Sequence, residues 1–320
     1  MSALQLHVEE PPAPVAGGAR ARLLAGTGAE ERRLRIAGVS TAVLEAGAGP
    51  PLVLLHGGIE CGGVYWAPVI ARLAESHRVL APDVPGLGAS EPLGRLDVES
   101  FSSWLSELVR EGCGEPAALV AHSMFGAFAA RFAAAHGELL DRLVLYGAPG
   151  IGPYRIPVGL QLAAIRAELR PTMRNQERFL PWPFLDPERV RRSDPGWFEA
   201  FLEYLLATSR LRRVKRTMHR VIAIGRKRIP DAELSRIATP TALVWGRHDR
   251  MTPLGLAERA RDRFGWPLEV VEDVGHVPHV EAPAAFLRAL ERAFSSLDER
   301  FAALLDREEA WYRLRRDGRA

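Results

Sequence analysis

Cysteine is nearly missing from this chain: two in 320 residues, Cys61 and Cys113, far apart and without metal-type spacing. Their scarcity excludes a disulfide framework and a clustered Cys/His metal site, and it fits a reducing compartment. Lysine is scarcer than its charge suggests, since Lys215 and Lys227 are the only two among 42 basic residues. That bias reads as codon usage, not as chemistry. Against 39 acidic residues the net charge is only +3, which calls for no nucleic-acid partner. No apolar run reaches the roughly 20 residues a bilayer requires; the longest candidate, 117–135, is broken by His122, Ser123 and Arg131. The opening stretch, MSALQLHVEEPPAPV, has neither the basic start nor the apolar middle of a signal peptide. From these absences we expect a cytoplasmic protein with no membrane partner and no bound metal.

What is present is ordinary globular material, 47% hydrophobic and 25% charged. Residues 1–30, rich in Pro, Ala and Gly, predict a flexible extension. Two strand-like runs, RLRIA and STAVLEA, meet at Gly38 as a hairpin. From Pro51 to about residue 148, short apolar strands alternate with amphipathic helices, as in a parallel sheet covered on both faces. The rhythm stops over 149–232, which shows helical patterning and turn signals but no strand, and it resumes with TALVWG and PLEVVED. The reading is therefore an α/β core of 31–148 and 233–296 with a helical cap over 149–232. A tail over 297–320 spaces Leu297, Phe301, Leu304, Leu305, Trp311 and Leu314 like one face of a helix. Packing of that face on its own domain and packing in a homodimer both stay open.

The stretch LVAHSMFGAFAARFA carries the first chemical signal. A strand stops at a His-Ser pair and a helix begins at once, the outline of a nucleophile elbow of the form G-x-S-x-G. Ala121 and Phe125 occupy the two glycine positions. On this stretch alone, Ser123 as nucleophile and Ser123 as a helix N-cap stand level. Acyl transfer by serine also needs a base, an acid to orient it and donors for the oxyanion. His276, in VEDVGHVPHVEAP, follows the last predicted strand, with His279 as its rival. Asp249, in LVWGRHDRMTP, also follows a strand; its neighbour His248 would point elsewhere, and Asp273 reads as a turn residue. The backbone N–H groups of Met124 and of Gly58, in LLHGGIECGG, are the oxyanion candidates.

With LLHGG, LAPDVPGLGASEP, VAHSMFG, WGRHDRMTP and DVGHVPHVEAP in that order, residues 31–296 resemble the α/β-hydrolase superfamily, in its capped, esterase-like branch. The resemblance implies an α/β-hydrolase fold: an eight-stranded, mostly parallel sheet with helices on both faces and a helical lid inserted after the sixth strand. It favours His276 over His279, because the family's base follows a glycine, here Gly275. It implies a serine hydrolase for a small or medium ester or lactone, needing no cofactor. Serine at 123 speaks against the dehalogenases and epoxide hydrolases of the superfamily, which attack with aspartate. Its C–C hydrolases tend to carry a tryptophan after the histidine, where Val277 stands. A C–C hydrolase or a non-hydrolytic tailoring enzyme using the same three residues stays open, as does a ligand-binding protein that keeps the fold without activity. Phe125 departs most from the pattern; we expect its ring to leave the elbow sideways, pack toward the oxyanion loop or the lid, and so narrow the substrate site. Trp182 and Trp197 are further candidates for substrate walls. The basic run Arg210 to Arg228 reads either as a solvated helix face or as a steering field for anionic substrates.

Overall fold

The computed structural model describes residues 18–57 and 61–298. Eight strands form one sheet: β1 (Glu30–Ile36), β2 (Val39–Ala46), β3 (Pro51–Leu55), β4 (Arg78–Pro82), β5 (Ala117–His122), β6 (Leu140–Tyr146), β7 (Thr241–Gly246) and β8 (Leu268–Val271), in the order β1-β2-β4-β3-β5-β6-β7-β8. The β1–β2 and β2–β4 pairs are antiparallel and the rest parallel. Ala37 and Gly38 both take positive φ, which closes the first hairpin in a two-residue turn matched to strand twist.

Side-chain alternation along the strands feeds two cores. Leu52, Leu54, Val120 and Val144 point to one face, and Val53, Leu55, Leu119 and Leu143 to the other. Both faces are covered by helices, so the central strands are apolar throughout instead of alternating with polar residues.

The first departure from expectation lies near the N-terminus. Residues 18–24 are not part of a flexible extension but form α1 (Gly18–Leu24), with Ala19 and Leu23 buried. The reason is tertiary. Arg20, itself buried, reaches Glu31 at 2.6 Å, Asp83 at 3.2 Å and the Tyr204 hydroxyl at 2.8 Å. Burial opposes the guanidinium charge, and Asp83, Tyr204 and Glu31 outweigh it, so its pKa is raised. Asp83 in turn accepts from the Gly63 and Ala89 N–H groups.

The remaining helices of the first half are α2 (Ala67–Leu73), α3 (Val98–Glu107) and α4 (Met124–His136). Between β6 and β7 the chain is helical: α5 (Val158–Leu169), α6 (Met173–Phe179), α7 (Pro187–Ser193), α8 (Pro195–Ser209), α9 (Arg212–Gly225) and the short α10 (Asp231–Leu234). Then come α11 (Gly255–Phe264), α12 (Pro278–Glu281) and a closing helix over 283–298. Of the amphipathic tail, Leu297 is buried and the positions from 299 onward lie outside the described residues.

Candidate active site

Strand β5 ends at His122, and the next residue, Ser123, takes φ 54° and ψ −129° before α4 starts at Met124. A positive φ on a non-glycine residue costs on the order of 1–3 kcal/mol and persists only where the surroundings fix it. Here the Ser123 N–H donates to the Tyr146 carbonyl at 2.8 Å, and its own carbonyl accepts from Gly126 N at 2.8 Å. The Ser123 side chain makes no cap to α4. Its Oγ sits 2.9 Å from His276 Nε2, and His276 Nδ1 sits 2.7 Å from Asp249 Oδ2.

The three side chains come from the carboxyl ends of β5, β7 and β8, where the loops of a parallel sheet converge. Gly246, at the end of β7, makes the approach of two of those loops feasible: a Cβ there would lie 1.8 Å from the Gly275 carbonyl oxygen. Asp249 Oδ1 accepts from the Met251 and Thr252 N–H groups, each at 2.8 Å, so the carboxylate is aimed before the histidine meets it. All three residues are buried. His248 is exposed, and Asp273 takes φ 54° in a turn, its carbonyl accepting from Arg189.

The alpha/beta hydrolase family description matches residues 52–289. The chain belongs to that family. This hydrolase is 28% identical to the pimeloyl-[acyl-carrier protein] methyl ester esterase of Aeromonas hydrophila, over 79% of this chain and 98% of the relative. It is also 28% identical to the 2-hydroxy-6-oxo-2,4-heptadienoate hydrolase of Pseudomonas putida, over 83% and 97%. The solved 2-hydroxy-6-oxo-6-phenylhexa-2,4-dienoate hydrolase of Rhodococcus superposes with a TM-score of 0.71 at 25% identity, over 83% of this chain and 99% of that one.

Of the other positions singled out in the hydrolase sequence, Met124 opens α4, and its N–H has no carbonyl partner within the helix by construction. Gly58 lies outside the described residues. Its neighbour Gly57 is pressed onto the elbow: a Cβ there would lie 2.1 Å from His122 Nδ1. A Cβ on Gly62 would lie 2.2 Å from Asp83 Oδ1 and one on Gly63 2.2 Å from the Ala81 carbonyl oxygen, so this glycine-rich stretch answers to three separate close approaches.

The Phe125 ring leaves the elbow toward the stretch that follows β3, where it meets His56. It is fully buried, edge-on to His56 at 5.2 Å and packed on Phe101 and Phe128. The close approach that the elbow needs is made one residue later, where a Cβ on Gly126 would lie 2.5 Å from that of Ala148. Trp182 lies against Gly159 of α5, and Trp197 stacks on Phe201 at 5.2 Å. Phe201 continues to Tyr65, which stacks on His122, so a file of rings leads from α8 to the elbow. In the basic run, Arg213 alone among the arginines is half-buried, donating to the Gly86, Gly88 and Ser90 carbonyls; the others are exposed.

Three residues went unnoticed in the sequence. The Thr252 hydroxyl lies 2.7 Å from Asp249 Oδ2 and 3.2 Å from His276 Nδ1. Its only signal was its place in HDRMTP. Glu281 accepts from Gly275 N at 2.7 Å and from Leu185 N at 2.9 Å, while His276 N donates to the Pro183 carbonyl at 2.8 Å. One carboxylate thereby fastens the histidine loop to residues 183–186. Burial pushes its pKa up, against three N–H groups that favour its charge. His122 donates from Nε2 to the His276 carbonyl at 2.9 Å, beneath the Tyr146 ring.

The rival histidine lies apart from Ser123: His279 is buried with Tyr146 on its Nδ1, and burial pushes its pKa down to about 3. His122 is likewise held well below its ordinary value by burial and by the neighbouring histidines. Both resist protonation in the folded protein and take up protons on unfolding, so their stabilising contribution is present above about pH 6.5 and is lost as pH falls below it. Two such groups give a slope of up to about 2.7 kcal/mol per pH unit. Stability to urea should therefore fall between pH 6.5 and 5, and His279→Gln should flatten that decline. An unchanged slope in the variant would contradict the assignment.

Proposed function

We propose that this hydrolase cleaves a small or medium carboxylic ester or lactone through an acyl-enzyme. Ser123 Oγ attacks the acyl carbon while its proton passes to His276 Nε2, and Asp249 holds the imidazole so that Nδ1 keeps its hydrogen. The tetrahedral oxyanion meets the Met124 N–H at the positive end of α4, with the Gly58 N–H as the second donor. Collapse expels the alcohol, which takes the proton from Nε2. Water, deprotonated by the same nitrogen, then attacks the acyl carbon; the bond to Oγ breaks, the acid leaves, and Oγ takes the proton back from Nε2. Side chains and backbone supply every step, and residues 149–232 act as the lid. The observation that supports this reading best is the strained serine whose hydroxyl faces His276 and leaves the helix uncapped.

A fluorophosphonate should add one adduct to the wild type by intact mass and none to Ser123→Ala. An unlabelled wild type would remove the nucleophile assignment. Equal identity to an esterase and to a dienoate hydrolase keeps a second reading, C–C bond cleavage with the same three residues. A panel of simple esters and vinylogous diketones separates the two, and turnover confined to the diketones would overturn the ester reading.

A further inference from the structure

Among the described residues, the exposed large hydrophobic side chains are Val158, Leu162, Ile165, Leu169 and Met173, between 38% and 75% exposed. All lie on α5 or at the first position of α6. Spacings of four, three and four place the first four on one face of α5, opposite the buried Leu160 and Ala167. Gln161, Arg166 and Glu168 are the only polar side chains in this helix. A helix apolar on both sides is ordinarily covered on both sides. Here one side meets solvent, and a concentrated apolar patch of this kind marks an interaction surface.

The charge around the patch selects its partner. Arg155, Arg166, Arg170 and Arg174 fringe it and are exposed, while Glu168 is engaged by His219 at 2.6 Å. Residues 149–232 hold 17 arginines and lysines against eight acidic residues, a net of +9 in a chain whose total is +3. Two-fold pairing of this face with a second copy would set one cationic fringe against the other. An anionic lipid surface accommodates both features, with apolar side chains below the headgroups and guanidiniums at the phosphates. Being about 18 Å long, α5 cannot cross a bilayer, and no helix among the described residues is long and apolar enough to do so. The expectation of no membrane partner considered only spanning segments, and a helix lying in the interface escapes that criterion.

We propose that the outer face of α5 docks this protein reversibly on an anionic lipid surface. The docking does not depend on the role of Ser123. The full-length protein should co-sediment with vesicles of equal parts phosphatidylglycerol and phosphatidylcholine at least about tenfold more strongly than with pure phosphatidylcholine. About 0.5 M salt should weaken that binding. Leu162→Glu with Ile165→Glu should reduce it by at least about tenfold, with an unchanged Tm because both side chains are exposed. Should that pair lower the Tm, Leu162→Gln with Leu169→Gln repeats the measurement. Arg166→Glu with Arg170→Glu should weaken binding to the anionic vesicles alone. Wild-type protein left in the supernatant, or a doubly substituted variant that binds as well as wild type, would overturn the proposal. So would sedimentation equilibrium showing a dimer that the L162E/I165E change dissolves while vesicles bind neither form; the face would then belong to a second copy, and capture of an acidic protein in place of vesicles would likewise count against lipid.

Discussion

Asp249→Asn is expected to lower kcat for ester hydrolysis by about 10⁴-fold while leaving the fold intact. The asparagine carbonyl can keep the two N–H donors from Met251 and Thr252 that Asp249 Oδ1 now accepts. Its amide nitrogen then faces His276 Nδ1, where a carboxylate oxygen stood at 2.7 Å. An amide N–H donates, so the imidazole must present a bare Nδ1 and carry its hydrogen on Nε2. That nitrogen lies 2.9 Å from Ser123 Oγ and can no longer receive its proton. Because the lost interaction acts in the transition state, kcat and kcat/KM should fall together, with KM nearly constant. A loss of less than about tenfold would mean that Asp249 does not orient the base.

Phe125→Ala is expected to cost about 3–5 kcal/mol of stability, seen as a fall in Tm on the order of 10 °C, with ester chain-length preference unchanged. The ring is fully buried among His56, Phe101 and Phe128, and its removal leaves a cavity under the first turn of α4. A ring that lined the substrate site would give the opposite result, a shift in KM or chain-length preference with little change in Tm.

These two residues show what was legible in the chain. Asp249, like Ser123 and His276, falls directly after an apolar strand, and strand ends in a parallel sheet converge on one edge. A one-dimensional pattern therefore predicts a three-dimensional meeting. The break in strand rhythm over 149–232 was visible for the same reason. The packing of Phe125 was only partly legible, because G-x-S-x-G records where small residues usually stand, not what a larger side chain there packs on; His56, Phe101 and Phe128 are brought around it only by the fold. Arg20 was missed because its partners Glu31, Asp83 and Tyr204 lie 11, 63 and 184 positions away. Thr252 and Glu281 sat inside quoted motifs, yet their roles exist only through loops that fold back on each other.

On the proposed mechanism, the fastening of residues 183–186 to the histidine loop acts as an interlock. Lifting that segment withdraws the Pro183 carbonyl from His276 N and the Leu185 N–H from Glu281, the same carboxylate that holds Gly275. The same few contacts therefore tie the position of residues 183–186 to that of the loop that carries His276.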